Sequence, residues 1–413
     1  MGRKLARTLQ LGILFSVVLF GYTLFSDQEF AKWQTNFRHY AQQHGVKNAT
    51  LDMAFRGLLT DKKVLKLDTY QPEFSRPVWE YLDTAVSAER VEQGRYVLKQ
   101  YAPLLKKISE TYQVDIEYIV AIWGMESSYG QQLGNYSAIR SLATLAYQGR
   151  EDRRDFWRTQ LIAALRILQS GDMPGNNLRG SWAGALGHTQ FIPSTFEEFA
   201  VDFDGDGRRD LVSSTSDALA STANFLKKRG WQTGMPWGFE VRIPDDMSIG
   251  GESRRNKKSL SSWMSRGVVR ADGSALIQGN LSSSSAAGLM APAGANGPVF
   301  LVFKNFDAIY SYNAAESYAL AIAHLSDRLQ GNGGFSKAWP TDDAGTSRAE
   351  RREIQQFLLN KGYDIGTVDG LIGDKSRQAI RQEQIRLGLS PTGRAGQQIL
   401  AAFRNENAQK MMQ

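Results

Sequence analysis

The 413-residue chain has no cysteine. That excludes thiol nucleophiles, thiolate-bound zinc, iron–sulfur clusters, disulfide staples and lipid attachment through an N-terminal Cys. Histidine is nearly as scarce, with only His39, His44, His188 and His324. No pair of them has the His-Glu-x-x-His spacing of a zinc protease. No apolar run reaches the roughly 20 residues that span a bilayer comfortably, and with 42% apolar and 22% charged residues the chain is neither disordered nor a polytopic membrane protein. One-sided charge is lacking too: Lys+Arg exceed Asp+Glu by 49 − 42 = 7. That excess suits an acidic polymer, and no dense basic stripe marks a nucleic-acid binder. Arg254-Arg255-Asn256-Lys257-Lys258 is read as a loop.

What is present begins with an address. Gly2 to Arg7 is basic, and Leu11 to Phe25 is almost wholly apolar and uncharged. A positive flank before a short apolar run reads as a secretory signal. No clean small-x-small cleavage site follows, so residues 1–26 stand as a signal peptide or a signal anchor. Either way the rest is expected to be exported to the periplasm, free or anchored to the inner membrane, and not as a lipoprotein.

From Gln28 to about Leu168 the pattern is helical. Val91, Gly94, Leu98, Tyr101, Leu105 and Ile108 recur at steps of three and four, which predicts one amphipathic stretch over Ala88–Thr111 that Pro103 kinks or splits. A helix is predicted over Val114–Ser127 with Asp115 as its cap, and others over Phe156–Leu168, Asp217–Lys228 and Glu316–Leu329. Gly171–Gly187 reads as loop. Phe239–Ile243 and Val299–Phe303 are β-prone runs around a Ser/Gly-rich middle. Residues 330–347 read as a linker, and Arg348–Phe403 as a separate small helical module.

Four constellations carry chemistry. Glu126 is a lone carboxylate after two nearly apolar helical turns, in Gly124-Met125-Glu126-Ser127-Ser128-Tyr129-Gly130. Such a setting raises a carboxyl pKa, and a carboxyl that keeps its proton near neutrality can serve as a general acid; the bland alternative is a surface Glu at a helix end. In Gly184–Phe196, small residues allow close approach to a ligand while Thr189 and Gln190 can bond hydroxyls and amides, although a tight turn before a helix has the same look. Asp202-Phe203-Asp204-Gly205-Asp206-Gly207-Arg208-Arg209-Asp210 matches the front of an EF-hand loop, but Ser213 stands where a bidentate Glu is expected. Asp217 could supply the missing carboxylate, and a metal-free Asp/Gly turn is the alternative. Tyr310-Ser311-Tyr312-Asn313, followed by Tyr318, suits either a sugar platform or core packing.

In combination these motifs resemble the lytic murein transglycosylase B family over about Phe30–Leu329. The resemblance implies a mostly helical α+β fold: a lysozyme-like catalytic domain with a small β-containing insertion. It implies non-hydrolytic cleavage of the β-1,4 bond between MurNAc and GlcNAc in peptidoglycan, leaving 1,6-anhydromuramic acid ends. Glu126 matches the catalytic acid and base. Ser127, Tyr129, Arg153, Arg154, Gln190, Phe191, Tyr312, Asn313 and Tyr318 match substrate-binding positions, with Arg153 and Arg154 set to meet stem-peptide carboxylates. Asp202, Asp204, Asp206, Arg208 and Asp217 match a calcium loop. No cofactor is implied for the chemistry, and Ca2+ at Asp202–Asp210 would be structural.

The tail, from Ile354-Gln355-Gln356-Phe357-Leu358 through Val368-Asp369-Gly370 to Gly393, resembles a three-helix peptidoglycan-binding domain, except that Glu383-Gln384 stands where Phe-Gln is usual. The implied division is 27–335 catalytic, 336–347 linker and 348–406 peptidoglycan-binding. The implied partners are peptidoglycan glycan strands, with cell-wall synthases as further candidates, no nucleic acid, and the membrane only through an uncleaved N-terminus. Two other functions stay open: a hydrolytic muramidase, which needs a second carboxylate to activate water, and a non-catalytic wall-binding protein.

Overall fold

A computed structural model describes residues 28–68, 77–175 and 177–411 of the chain. The basic and apolar N-terminal segment lies outside the described residues, among which no helix is long and apolar enough to cross a membrane. The chain divides into two units, one formed by residues up to 71 and 130–221, the other by 72–129 and 222–413.

The first unit is helical. It holds α1 (28–43), α2 (Asn48–Phe55) and α3 (Lys62–Asp68). The second unit then supplies α4 (Val78–Ala85), α5 (Ala88–Gln100), α6 (Ala102–Tyr112) and α7 (Ile116–Ser127), before the chain returns to the first for β1 (Tyr136–Ser137), α8 (Ala138–Gln148), α9 (Arg154–Ser170), β2 (Arg179–Gly180) and α10 (Pro193–Phe199). Within the first unit α9 is central, packing on α8, α10 and α2. Its buried residues include Trp157 and Ile167, and from Gln160 to Leu165 they are unbroken, so its middle is enclosed on all sides. The expected Gly171–Gly187 loop is irregular apart from β2, which pairs with β1 through Tyr136↔Gly180.

The predicted Ala88–Thr111 helix is split. Tyr101 leaves the helical path, and α6 restarts with Pro103 in its first turn, where a missing N–H costs nothing. Asp115 does occupy the cap position of α7, but its side chain makes no capping hydrogen bond. α7 is more enclosed than α5, which buries only Val91, Gly94 and Val97. Every residue from Tyr118 to Gly124 is buried, so it is a central helix, enclosed on all sides. It packs on α14 and α5.

After α11 (Thr215–Lys228) comes the strand region. β3 (Gly238–Arg242), β4 (Lys258–Ser259), β5 (Val269–Arg270), β6 (Ala286–Met290) and β7 (Val299–Val302) build an antiparallel sheet of order β4-β6-β7-β3-β5, with α12 (Leu260–Ser265) between β4 and β5 in the chain. The two β-prone runs are partners across it, in the register Phe239↔Leu301 and Val241↔Val299. Trp263, Leu289, Leu301 and Phe303 form its core. The basic run 254–258 is not a solvated loop throughout: Arg254 is buried and pairs with Asp307 and Glu316, Lys257 pairs with Asp307, and Lys258 belongs to β4.

α13 (Lys304–Tyr310) and α14 (Glu316–Leu329) close the stretch. A connector without helix or strand follows, gripped where the Glu240 carboxylate accepts the N–H groups of Ser336 and Lys337 at 2.6 and 2.8 Å. The tail forms α15 (Arg348–Asn360), α16 (Asp374–Arg386) and α17 (Gln397–Met411) around Ile354, Leu358, Ile380, Ile399 and Phe403. Ser347 and Glu350 cap α15 reciprocally. Glu383 and Gln384 keep their place in α16 because both are satisfied. Glu383 meets Lys361, Arg386 and the Tyr363 hydroxyl, while Gln384 accepts from Gly393 N–H and donates to the Thr392 hydroxyl.

Candidate active site

Glu126 lies in the last turn of α7, and α7 ends because the next three residues, Ser128, Tyr129 and Gly130, all take positive φ. A left-handed run is costly for side chains with a Cβ, so something must hold it. Ser128 N–H donates to Gly124 C=O and Tyr129 N–H to Trp123 C=O. The Tyr129 ring is buried, and its hydroxyl donates to the Arg90 carbonyl at 2.8 Å. Glycines make the room: a Cβ on Gly124 would fall 2.5 Å from that ring, and one on Gly94 2.4 Å from its hydroxyl. Ser127 is buried and bonds back to Trp123 C=O. Ser127 and Tyr129 therefore anchor the turn that presents Glu126.

Glu126 itself is half-buried. Burial pushes its carboxyl up to about 7, against the opposing pull of the Tyr318 hydroxyl, which donates to Oε1 at 2.5 Å. Burial and the adjacent carboxylate hold Tyr318 well above the ordinary phenol range, so it keeps its proton and remains the donor. Tyr318 enters from α14, 192 residues along the chain. Tyr312 is half-buried, stacks on Tyr318 with centroids 6.5 Å apart and meets Phe225 at 4.9 Å, and Asn313 beside it is exposed. One acid, one phenol bound to it and a second aromatic ring thus form a single cluster. That Tyr318 touches Glu126 was not readable locally: a Tyr at the start of a helix says nothing about a partner so remote in sequence.

The remaining motif residues belong to the first unit. Gln190 has φ 51°, and its Nε2 donates to the carbonyls of Gly187 and Leu133. Phe191 is buried. Gly187 is small for an internal reason: a Cβ there would meet the Leu211 carbonyl at 2.0 Å. Gly184 likewise faces the Leu142 side chain, at 2.7 Å from a Cβ, so both glycines have a packing reason to be small. Arg153 lies over Phe156 and Trp157 at 4.9 and 5.0 Å, and Arg154 Nε donates to the Gly149 carbonyl.

In the acidic loop, carboxylate oxygens of Asp202, Asp204 and Asp217 come within 4.8 Å of one another. Asp217 is buried at the start of α11 and accepts the N–H groups of Phe203, Asp204 and Asp210. Asp202 accepts those of Gly205 and Gly207. Asp206 and Arg208 pair with each other at 3.1 Å and are not among the three clustered acids. Three converging carboxylates at a loop form a donor set suited to a hard cation such as Ca2+.

Comparisons with known proteins place the chain in a family. Residues 29–327 match the transglycosylase SLT domain, and residues 347–403 match a peptidoglycan binding domain. The membrane-bound lytic murein transglycosylase B of Escherichia coli K12 is 28% identical over 286 residues, 68% of this chain and 74% of that protein. The crystal structure of SltB3 from Pseudomonas aeruginosa, in complex with NAG-anhNAM-pentapeptide, is 47% identical and covers 91% of this chain and 99% of its own, with a TM-score of 0.73. The E. coli lytic transglycosylase Slt35 in complex with calcium is 26% identical over 74% of this chain and 92% of its own, with a TM-score of 0.61. With a carboxyl acid poised on α7 and a family match that spans most of its length, the chain belongs to the SLT-domain transglycosylases, enzymes that cleave the glycosidic bonds of peptidoglycan.

Proposed function

We infer that Glu126 is both the acid and the base of a non-hydrolytic cleavage of the MurNAc–GlcNAc β-1,4 bond. The observation that carries this is its carboxyl at about 7 with a phenol as its hydrogen-bond partner. Protonated Glu126 gives its proton to the glycosidic oxygen as the bond to C1 breaks. The resulting carboxylate takes the proton of the muramic C6 hydroxyl as that oxygen bonds to C1. The proton returns to Glu126, no water is consumed, and the product carries a 1,6-anhydro ring. Tyr318 holds the carboxyl and steadies its charged form between the two transfers. A hydrolytic muramidase needs a second carboxylate to activate water, and it would leave reducing ends. Tyr312 and Asn313 are assigned to the sugar beside the bond. Gln190 and Phe191 are assigned to shaping a glycan-binding loop, and Arg153 and Arg154 to peptide-stem carboxylates.

The test is mass spectrometry of fragments released from purified sacculi by residues 27–413. Wild-type enzyme is expected to release fragments one water lighter than hydrolytic ones, with no reducing end, and Glu126→Gln none. Reducing-end fragments would assign a hydrolase. Binding without cutting by both proteins would assign a wall-binding protein.

Asp202, Asp204 and Asp217 are proposed to hold a structural Ca2+ that neutralises three close negative charges. Calcium is expected to raise the melting midpoint of the wild type and not that of Asp204→Ala, and equal shifts in both would remove the ion from this loop. The protein is proposed to act in the periplasm, on the strength of its basic flank and apolar N-terminal run. Residues 348–406 are proposed to hold the enzyme on the wall.

A further inference from the structure

Tyr318, the donor to Glu126, stands in the first turn of α14, and that turn has little of its own to hold it. Ala315 occupies the cap position and makes no side-chain capping bond, so the helix starts without the partner that most helices have there. The five residues before it, 311–315, are neither helix nor strand and carry Tyr312 and Asn313.

The groups that bracket this segment converge on one side chain from elsewhere. Arg254 belongs to the strand region, ahead of β4, and is only 7% exposed. Its Nη1 donates to Asp307 Oδ1 of α13 at 3.1 Å, and its Nε lies 3.3 Å from Glu316 Oε1 of α14. Its guanidinium also lies over the ring of Tyr310, the last residue of α13, at 3.6 Å. One planar fork thus meets a carboxylate on each side of residues 311–315 and an aromatic face, a combination that a lysine cannot reproduce. Asp307 has a second cation in Lys257, at 3.1 Å. Among the described residues Glu316 is paired with Arg254 alone.

Arg254 is itself held firmly. Its carbonyl accepts from Lys257 Nζ at 3.0 Å, and β6 lies against its backbone, since a Cβ on Gly288 would fall 2.3 Å from that carbonyl oxygen. The contacts therefore run from β6 through Arg254 to Glu316, and Tyr318 follows two residues on, all within the second unit.

We propose that Arg254 is a positioning residue: it ties the first turn of α14 to the sheet and so keeps the Tyr318 hydroxyl on Glu126. Desolvation offsets much of the attraction in a buried ion pair, so the arrangement secures position more than stability. The proposal rests on the reading of Glu126 as the acid.

The experiment is the pH profile of turnover and kcat/KM for the full chain on soluble, uncrosslinked glycan strands, with Arg254→Met, Tyr318→Phe and the double variant. Arg254→Met is expected to slow turnover about fivefold and to move the high-pH limb upward, as loss of the Tyr318 donor would. In the Tyr318→Phe background the same change is expected to cost less than about twofold and to leave the limb in place, because both act through one bond. No slowing, slowing with the limb unmoved or moved downward, or equal slowing in both backgrounds would overturn the proposal. Loss of fold alone lowers the active fraction and moves no limb. If Arg254→Met melts early, Glu316→Gln decides by the same criteria, since it removes the contact beside Tyr318 and leaves Arg254 paired with Asp307. The two readings fail separately. Cutting by Glu126→Gln would remove the acid and this proposal with it. An inactive Glu126→Gln beside an unmoved limb in Arg254→Met would remove the positioning role alone.

Discussion

Two carboxylates withdrawn from water behave in opposite ways. Glu126, on α7, has one neutral donor and is pushed by burial up to about 7. Glu383, on α16, is also withdrawn from water, yet Arg386, Tyr363 and Lys361 overcome its burial and hold it at about 2. Burial sets the stakes and partners set the sign. The catalytic part keeps its acid short of partners so that the proton stays mobile. The module surrounds its acid with cations, and the charge becomes structural.

The comparison can be broken at either carboxylate. The largest effect is expected from Glu126→Gln, which should cut turnover about a thousandfold. In the wild type, kcat/KM should fall as pH rises through about 7, because the proton-donating form is lost. The stability signs are opposite. Glu126 has a folded pKa above its unfolded value, so its contribution is present below about 4.5 and lost as pH rises through 7. Glu126→Gln should therefore melt above the wild type at pH 8 and no higher at pH 4. Glu383 has a depressed folded pKa, so its contribution holds above about 4.5 and is lost as pH falls toward 2. Glu383→Gln should cost about 2 kcal/mol at pH 7, an amount discounted because Lys361 and Arg386 are partly exposed. Hydrogen exchange in α15–α17 would register it, and unchanged protection would show the cluster to be idle.

Gly124→Ala comes next. The new methyl would press on the Tyr129 ring, at an expected cost of about 2 kcal/mol, measured by denaturant melts. Its products from sacculi should be unchanged, since the acid remains. Tyr318→Phe should have the smallest effect, slowing turnover about tenfold. Because a donor to the carboxylate is lost, the high-pH limb should move upward. A downward move would mean that Tyr318 does not donate to Glu126.

Much of this was legible in the sequence. α14 falls on Glu316–Leu329 as the periodicity demands, and the two β-prone runs are paired strands, because both patterns are local. Glu126, after two nearly apolar helical turns, fitted a surface helix end as well as a buried acid, and the resemblance carried by the Ser127-Ser128-Tyr129-Gly130 turn decided between them. What was hidden is non-local. The Tyr318 bond and the neutralisation of Arg254 by Asp307 depend on which side chains the fold brings together. In the Gly184–Phe196 loop the sequence left two readings open, and Gly187 shows one reason for a small residue, the Leu211 carbonyl against it.

The abrupt end of α7 has an electrical consequence. A helix carries the equivalent of about half a negative charge at its C-terminus, and Glu126 is its penultimate residue. An ionised carboxylate there opposes the field of its own helix, whereas a protonated one does not. The left-handed turn at Ser128–Gly130 therefore fixes where the acid stands and also where the field ends. Extending α7 by one more turn would leave Glu126 in the same sequence with a weaker hold on its proton.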